Sequence, residues 1–148
     1  MYHEFDVFLS HASEDKDKIR RLATRLKELD VSVFFDEEVI GWGDSITDAI
    51  NNGLLRSTFF VPFLTSTFAR KGWTNKELNS SIQQNISRKG RILVIKDASF
   101  QIEDRYPVLN DVLYKTWPDD NDQVFIEEVA SELLAKVKQE RLKKHALK

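Results

Sequence analysis

Short apolar runs and longer stretches of helical periodicity alternate along this chain. Residues 5–10, FDVFLS, carry β-forming side chains at both parities, as a strand covered on both faces does. In residues 14–29 the apolar positions Ile19, Leu22, Ala23, Leu26 and Leu29 form a helical stripe. Ser13 stands where that helix wants its N-cap, and Glu14 and Asp15 suit the positive end of the dipole. Residues 31–36, VSVFFD, predict a second strand, and the loop after it sets Trp42 between Gly41 and Gly43. A second helix is expected over 44–55, where Ser45 and Asp48 are spaced as a capping box.

Residues 57–64, STFFVPFL, predict a third strand. Pro62 brings no N–H to a ladder and predicts a bulge or strand end there. The third helix contains WTNKEL, residues 73–78, with Leu78, Ile82 and Ile86 on one stripe. RILVIK (91–96) predicts the fourth strand, residues 97–110 are irregular, and VLYKTW (112–117) predicts a short fifth. A last helix follows PDDND, with Phe125, Val129, Leu133 and Val137 at four-residue intervals.

Apolar strands alternating with helices predict an α/β domain, a parallel sheet with helices on both faces. Right-handed crossovers then favour the five-stranded, doubly wound order. Ligands of such sheets sit beyond the carboxyl ends of the strands, where strand order reverses. Three segments converge there: SHASED after the first strand, DEEVIGWGDS after the second, TSTFARKGW after the third. Trp73 and Glu77 reach the same rim. They are four apart, so they share one helix face beside the core-facing stripe rather than opposite it.

Composition narrows the chemistry. The 148 residues suffice for one domain with a core of its own, and the absence of cysteine excludes disulfides and thiolate metal sites. His3, His11 and His145 are too scattered for a zinc site. A net charge of −2 argues against a nucleic-acid surface. The longest apolar stretch, FFVPFL, falls far short of the ~20 residues of a membrane span. The N-terminus is acidic where a signal peptide is basic, so a cytoplasmic protein is expected. No G-x-G-x-x-G follows the first strand and no G-x-x-x-x-G-K-[ST] occurs, against a dinucleotide cradle or P-loop. Thr65 and Ser66 end the third strand where a phospho-receiver would place an aspartate.

FDVFLSHASED, VFFDEEVIGWGDSITDAINNGLLRS and STFARKGWTNKEL occur in the order and spacing of a Toll/interleukin receptor (TIR) domain, and the chain resembles the prokaryotic kind. The first block resembles that family's opening strand, the second its β2 strand and BB loop, the third its W-x-x-x-E-L segment. The resemblance implies a flavodoxin-like sheet, a TIR domain over residues 1–144, and a tail or the start of a linker at 145–148. It also implies one of two roles in signalling or defence. Many prokaryotic members cleave NAD+ at the nicotinamide–ribose bond, some cyclising the product; others are non-enzymatic assembly modules that pair through the BB loop. Glu77 falls on the family's catalytic glutamate and Trp73 on the tryptophan before it. NAD+ would be the substrate, with no cofactor and no metal.

The chemistry suits those residues. Nicotinamide leaves NAD+ as a neutral molecule and needs no general acid, unlike the oxygen leaving groups for which glycosidases keep two carboxylates. One carboxylate at Glu77 suffices to hold the ribose and stabilise the cationic transition state, with Trp73 stacked on a ring. Against this stands the plain reading, in which Glu77 complements a helix dipole and Trp73 packs. His11 and Ser10, at the end of the first strand, either bond a phosphate or ribose or satisfy the loop. Asp44 and Ser45 either cap the second helix or meet the ligand. Trp42 is a lid over the nucleotide or a contact with a neighbouring domain.

Overall fold

The computed structural model describes residues 5–35, 55–70, 91–101, 114–120 and 122–146. Strand β1 (Phe5–Ser10) leads through a 3-10 turn (Ser13–Asp15) into helix α1 (Lys16–Glu28), then β2 (Val33–Phe35). Next come β3 (Ser57–Leu64), helix α2 (Ser66–Arg70), β4 (Val94–Asp97), β5 (Tyr114–Trp117) and helix α3 (Asp122–Ala146). The five strands form one sheet in the order β2-β1-β3-β4-β5, and every pairing is parallel. This is the flavodoxin-like order, with its reversal between β1 and β3.

Alternation along the strands divides the core. Val7 and Leu9 of β1, Phe59, Val61 and Phe63 of β3, and Trp117 of β5 pack with Ile19, Leu22 and Leu26 of α1 and Phe125, Val129 and Leu133 of α3. The intervening Phe8, Phe34 and Phe60 turn to the other face, where Phe8 lies 5.1 Å from Phe34 and 5.5 Å from Phe60 between ring centroids. All three are buried too, so the sheet is covered on both sides. Helices α1 and α3 are also joined by ion pairs, Arg25 Nε to Glu127 Oε1 at 2.8 Å and Arg21 to Asp122 at 2.7 Å.

Three local expectations shift. Ser13 opens the 3-10 turn, and the residue at the N-cap of α1 is Asp15. Pro62 makes neither a bulge nor a strand end, since β3 runs through it and pairs it with Ser10. The missing N–H shows on the β4 side alone. Leu93 N–H donates to Phe60 O at 2.8 Å, pairing lapses at Val61 and Pro62, and the ladder resumes at Phe63↔Ile95. The regular part of β4 therefore begins at Val94, while Arg91 donates to the carbonyl oxygens of Thr58 at 2.6 Å and Ser57 at 3.3 Å.

Candidate active site

A parallel sheet brings the carboxyl ends of all its strands to one rim. Ser10, the last residue of β1, is 1% exposed there, and its hydroxyl has no hydrogen-bond partner among the described residues. A buried hydroxyl left in that state carries a desolvation cost, which a ligand oxygen at the end of β1 would relieve. His11 follows it, half-buried. Both side chains stand at the switch point between β1 and β3, where the sequence expectation puts them.

Asp15 and Thr65 tie the ends of two strands together. Thr65 Oγ1 donates to Asp15 Oδ2 at 2.9 Å and accepts the Phe68 N–H at 3.0 Å, which makes it the N-cap of α2. Asp15 forms no side-chain cap to its own helix. Burial raises the Asp15 carboxyl above its usual range; the bond from Thr65 opposes this, and the neighbouring Asp97 carboxylate adds to it.

Further along the rim, Ser99 donates to Asp97 Oδ2 at 2.7 Å, and Lys96 Nζ donates to Phe100 O at 2.9 Å, closing the turn after β4. The Lys18 ammonium lies 5.3 Å from the Trp117 ring centre and 5.9 Å from that of Phe63. Its charge adds positive potential beside Asp15. The rim is thus lined by a hydroxyl, an imidazole, two carboxylates and a cation on aromatic rings, groups able to hold a polar, hydroxyl-rich ligand.

Of the residues singled out in the sequence, Ser10 and His11 are placed at this rim. Trp42, Asp44, Ser45, Trp73 and Glu77 lie outside the described residues. Sequence reasoning took Asp15 only for a dipole complement and passed over Thr65 as a cap. A threonine directly after a strand and three residues before a buried phenylalanine was the available signal.

A concavity lies away from the rim, on the α3 face of the sheet. This slot of about 530 Å³ has Val61, Leu93, Ile95 and Leu133 among its lining residues, with Lys115 and Lys136. Lys115 pairs with Glu132 of α3 at 2.9 Å, whereas Lys136 has no ion pair among the described residues.

The sequence model of a family described as TIR domain matches residues 7–134. A 2' cyclic ADP-D-ribose synthase of Acinetobacter baumannii is 41% identical over 93 residues, 62% of this chain and 35% of that protein. The NAD(+) hydrolase TirS of Staphylococcus aureus is 38% identical over 92 residues, covering 62% of this chain and 33% of the hydrolase. The chain thus spans about a third of the length of the curated relatives it matches. Among solved structures, the TIR domain of the Toll-related receptor TRR-2 of Hydra magnipapillata superposes with a TM-score of 0.61 at 18% identity, over 90% of this chain and 98% of that one. A diflavin flavoprotein A3 from Nostoc sp. superposes equally, with a TM-score of 0.61 at 17% identity, over 98% and 99% of the two chains. The two likenesses attest one shared fold.

Proposed function

The chain belongs to the TIR domain family, and on that premise we propose that it cleaves NAD+ at the nicotinamide–ribose bond, giving nicotinamide and ADP-ribose or a cyclic isomer. The observation that carries this reading is the buried Ser10 hydroxyl at the switch point, without a hydrogen-bond partner among the described residues, in a chain whose relatives include an NAD(+) hydrolase and a cyclic ADP-ribose synthase. Glu77 is the catalytic carboxylate in this proposal. It faces the positive charge that develops on the ribose as neutral nicotinamide departs, and Trp73 stacks on a ring of the substrate. Ser10 and His11 hold ribose or phosphate oxygens from the end of β1. Asp44 and Ser45 approach from the loop after β2. The reaction as proposed uses NAD+ as substrate with no resident cofactor or metal, in the cytoplasm.

The test is direct. Concentrated protein is incubated with NAD+, nicotinamide release is followed, and the second product is separated as linear or cyclic. Undiminished NAD+ after long incubation removes the activity.

Self-association is the companion proposal. The loop EEVIGWGDS, residues 37–45, joins three carboxylates, Glu37, Glu38 and Asp44, to an aliphatic pair and Trp42. The slot on the α3 face pairs an apolar floor with Lys136, while its other cation, Lys115, is held by Glu132 of the same lining, so Lys136 is the charge that complements the acidic loop. A neighbouring copy docked in this way would use Trp42 as its anchor. As a pure scaffold the domain would have no need of the Glu77 carboxylate, so nicotinamide release separates the two roles.

A further inference from the structure

Helix α3 changes character at Val137. Up to there Phe125, Ile126, Val129, Ala130, Leu133 and Val137 are buried and hold it against the sheet. Past Val137 no apolar side chain is buried among the described residues, and Leu142 stands exposed. The Glu140–Lys143 pair at 3.3 Å lies within the helix and does not dock it. Among the described residues, one side chain, Arg141, makes the hydrogen bonds that join residues 138–146 to the rest of the domain. A helix end that buries no apolar face frays easily, because packing supplies most of a helix's stability.

Arg141 grips two irregular points at the amino end of the sheet. Its Nη2 donates to Asp6 Oδ2 at 2.8 Å and to Asp30 O at 2.9 Å, which uses both protons of that nitrogen. Asp6 lies where the β1–β2 ladder starts out of step, since the Asp6 and Val7 amides share the Ser32 carbonyl at 3.0 and 3.1 Å. The Ser32 N–H donates to Asp6 Oδ2 at 2.9 Å, the same oxygen that Arg141 takes. Asp30 is the left-handed residue that closes α1, with φ 62°. One guanidinium thus collects the ends of α1 and α3 and the first step of the sheet. The pair reaches solvent, with the Arg141 side chain 47% and the Asp6 side chain 22% exposed. Water and salt screen it, so it favours the closed arrangement by a factor of about two to ten.

We infer that residues 138–146 form a latched arm, which opens and closes as a unit while the domain stays folded, with Arg141 on Asp6 and Asp30 as its catch. Opening frees a basic segment that includes Lys138, Arg141 and Lys143, and leaves the Asp6 carboxylate to the Ser32 amide. Raising the ionic strength shifts the balance toward the open arm. The catch works whether or not the domain cleaves NAD+, since it lies at the opposite end of β1 from Ser10.

The experiment follows amide hydrogen exchange along α3 in the wild type, Arg141→Ala, Asp6→Asn and the double variant, each at low salt and at about 0.5 M sodium chloride. Asp6→Asn keeps a side-chain oxygen for the Ser32 amide and removes the charge that Arg141 meets. In the wild type, salt should speed exchange at residues 141–145 by about two- to tenfold. Each single variant should show that faster exchange already at low salt, and salt should then add little. The double variant should exchange no faster than either single one, because both remove the same catch. Residues 129–137, under the apolar face, should keep their protection, with melting temperature nearly unchanged. An Arg141→Ala protein whose residues 141–145 exchange as in the wild type overturns the inference. Faster exchange that spreads equally through residues 129–137 also overturns it, since the arm would then have no motion of its own. So do additive effects of the two substitutions, or a salt response in Arg141→Ala as large as in the wild type.

Discussion

The indole Nε1 of Trp117 donates a 2.8 Å hydrogen bond to Oδ1 of Asp122, joining the end of β5 to the first residue of α3. Arg21 of α1 takes the other oxygen at 2.7 Å, so one carboxylate collects a strand and two helices. Trp117 is fully buried, while the Arg21 and Asp122 side chains are 49% and 31% exposed. Water therefore screens the ion pair, and the indole N–H carries most of the energy. Asp122→Ala leaves that donor unmade and should destabilise the fold by about 1–3 kcal/mol in urea titrations at neutral pH. Asp122→Asn retains an acceptor and should lose much less. The Arg21 bond first, and the indole second, hold the carboxyl below its ordinary 3.8. Its contribution is then complete above the unfolded pKa and lost as the pH falls through the depressed folded value. A gap between wild type and Asp122→Asn that persists unchanged into strong acid would exclude the carboxylate's charge as its source.

Asp15 has the opposite sign. Its carboxyl is raised above 3.8, chiefly by burial, so the folded state binds the proton more tightly than the unfolded one. Ionised Asp15 thus weighs against folding at neutral pH, and the penalty lifts as the pH falls through its folded pKa. Asp15→Asn should melt no lower than wild type at neutral pH, with any advantage vanishing on acidification. A clear drop in melting temperature at neutral pH would mean that the charge on the Thr65 bond outweighs burial and the Asp97 repulsion.

The two aspartates also show what the sequence could and could not tell. β1 and β3 were legible to the residue, because long apolar runs with no competing helical period admit one reading. The buried stripe Ile19, Leu22, Ala23 and Leu26 was equally plain. Partner choice across the fold was not. Nothing local says that Asp15 will reach Thr65 instead of its own helix, or that Trp117 will find Asp122. Pro62 misled for a related reason. A strand has two edges, and the sequence does not say that the gap left by its missing N–H would fall on the β4 edge while pairing to β1 continued. The position of Ser10 and His11 at the rim followed from strand ends alone, while their proposed binding roles, like those of Glu77 and Trp73, rest on the sequence still.

At the other end of α1, Asp30 has φ 62°, the left-handed region. Its N–H and that of Val31 close the helix onto Lys27 O at 3.1 Å and Leu26 O at 3.0 Å, an αL turn that glycine adopts without strain. The carboxylate also sits at the negative end of the helix dipole. Asp30→Gly should raise stability by about 0.5–1 kcal/mol, read as a higher denaturation midpoint at unchanged slope. The Arg141 bond to Asp30 O at 2.9 Å involves only backbone there and should survive. A lower midpoint would show that glycine's freedom in the unfolded chain outweighs the relief.

Glu77→Gln keeps size and helix propensity and removes the charge proposed to face the developing cation. Nicotinamide release should fall by about 10² or more with the fold intact, the scale of one lost transition-state contact. His11→Ala, removing a proposed binding group rather than the proposed reacting carboxylate, should raise KM more than it lowers kcat. Wild-type turnover from a folded Glu77→Gln protein would remove that residue from the mechanism.

Assembly makes the last prediction. If Trp42 of one copy docks on the α3 face of the next, activity depends on how often copies meet. Specific activity should rise with protein concentration, and fusion to an oligomerising partner should abolish that dependence. Trp42→Ala should flatten the rise, because an aromatic at the centre of a contact carries a disproportionate share of its energy. Lys136→Glu should flatten it from the other side. It turns an attraction for Glu37 and Glu38 into a repulsion, and Lys136 lies in the slot on the α3 face, away from the rim. Raising the salt should weaken wild-type association and partly rescue Lys136→Glu, a pattern that lost packing would not produce. Constant specific activity over a wide dilution series, with Trp42 present or absent, would leave Trp42 as a lid over the nucleotide and the slot without a partner.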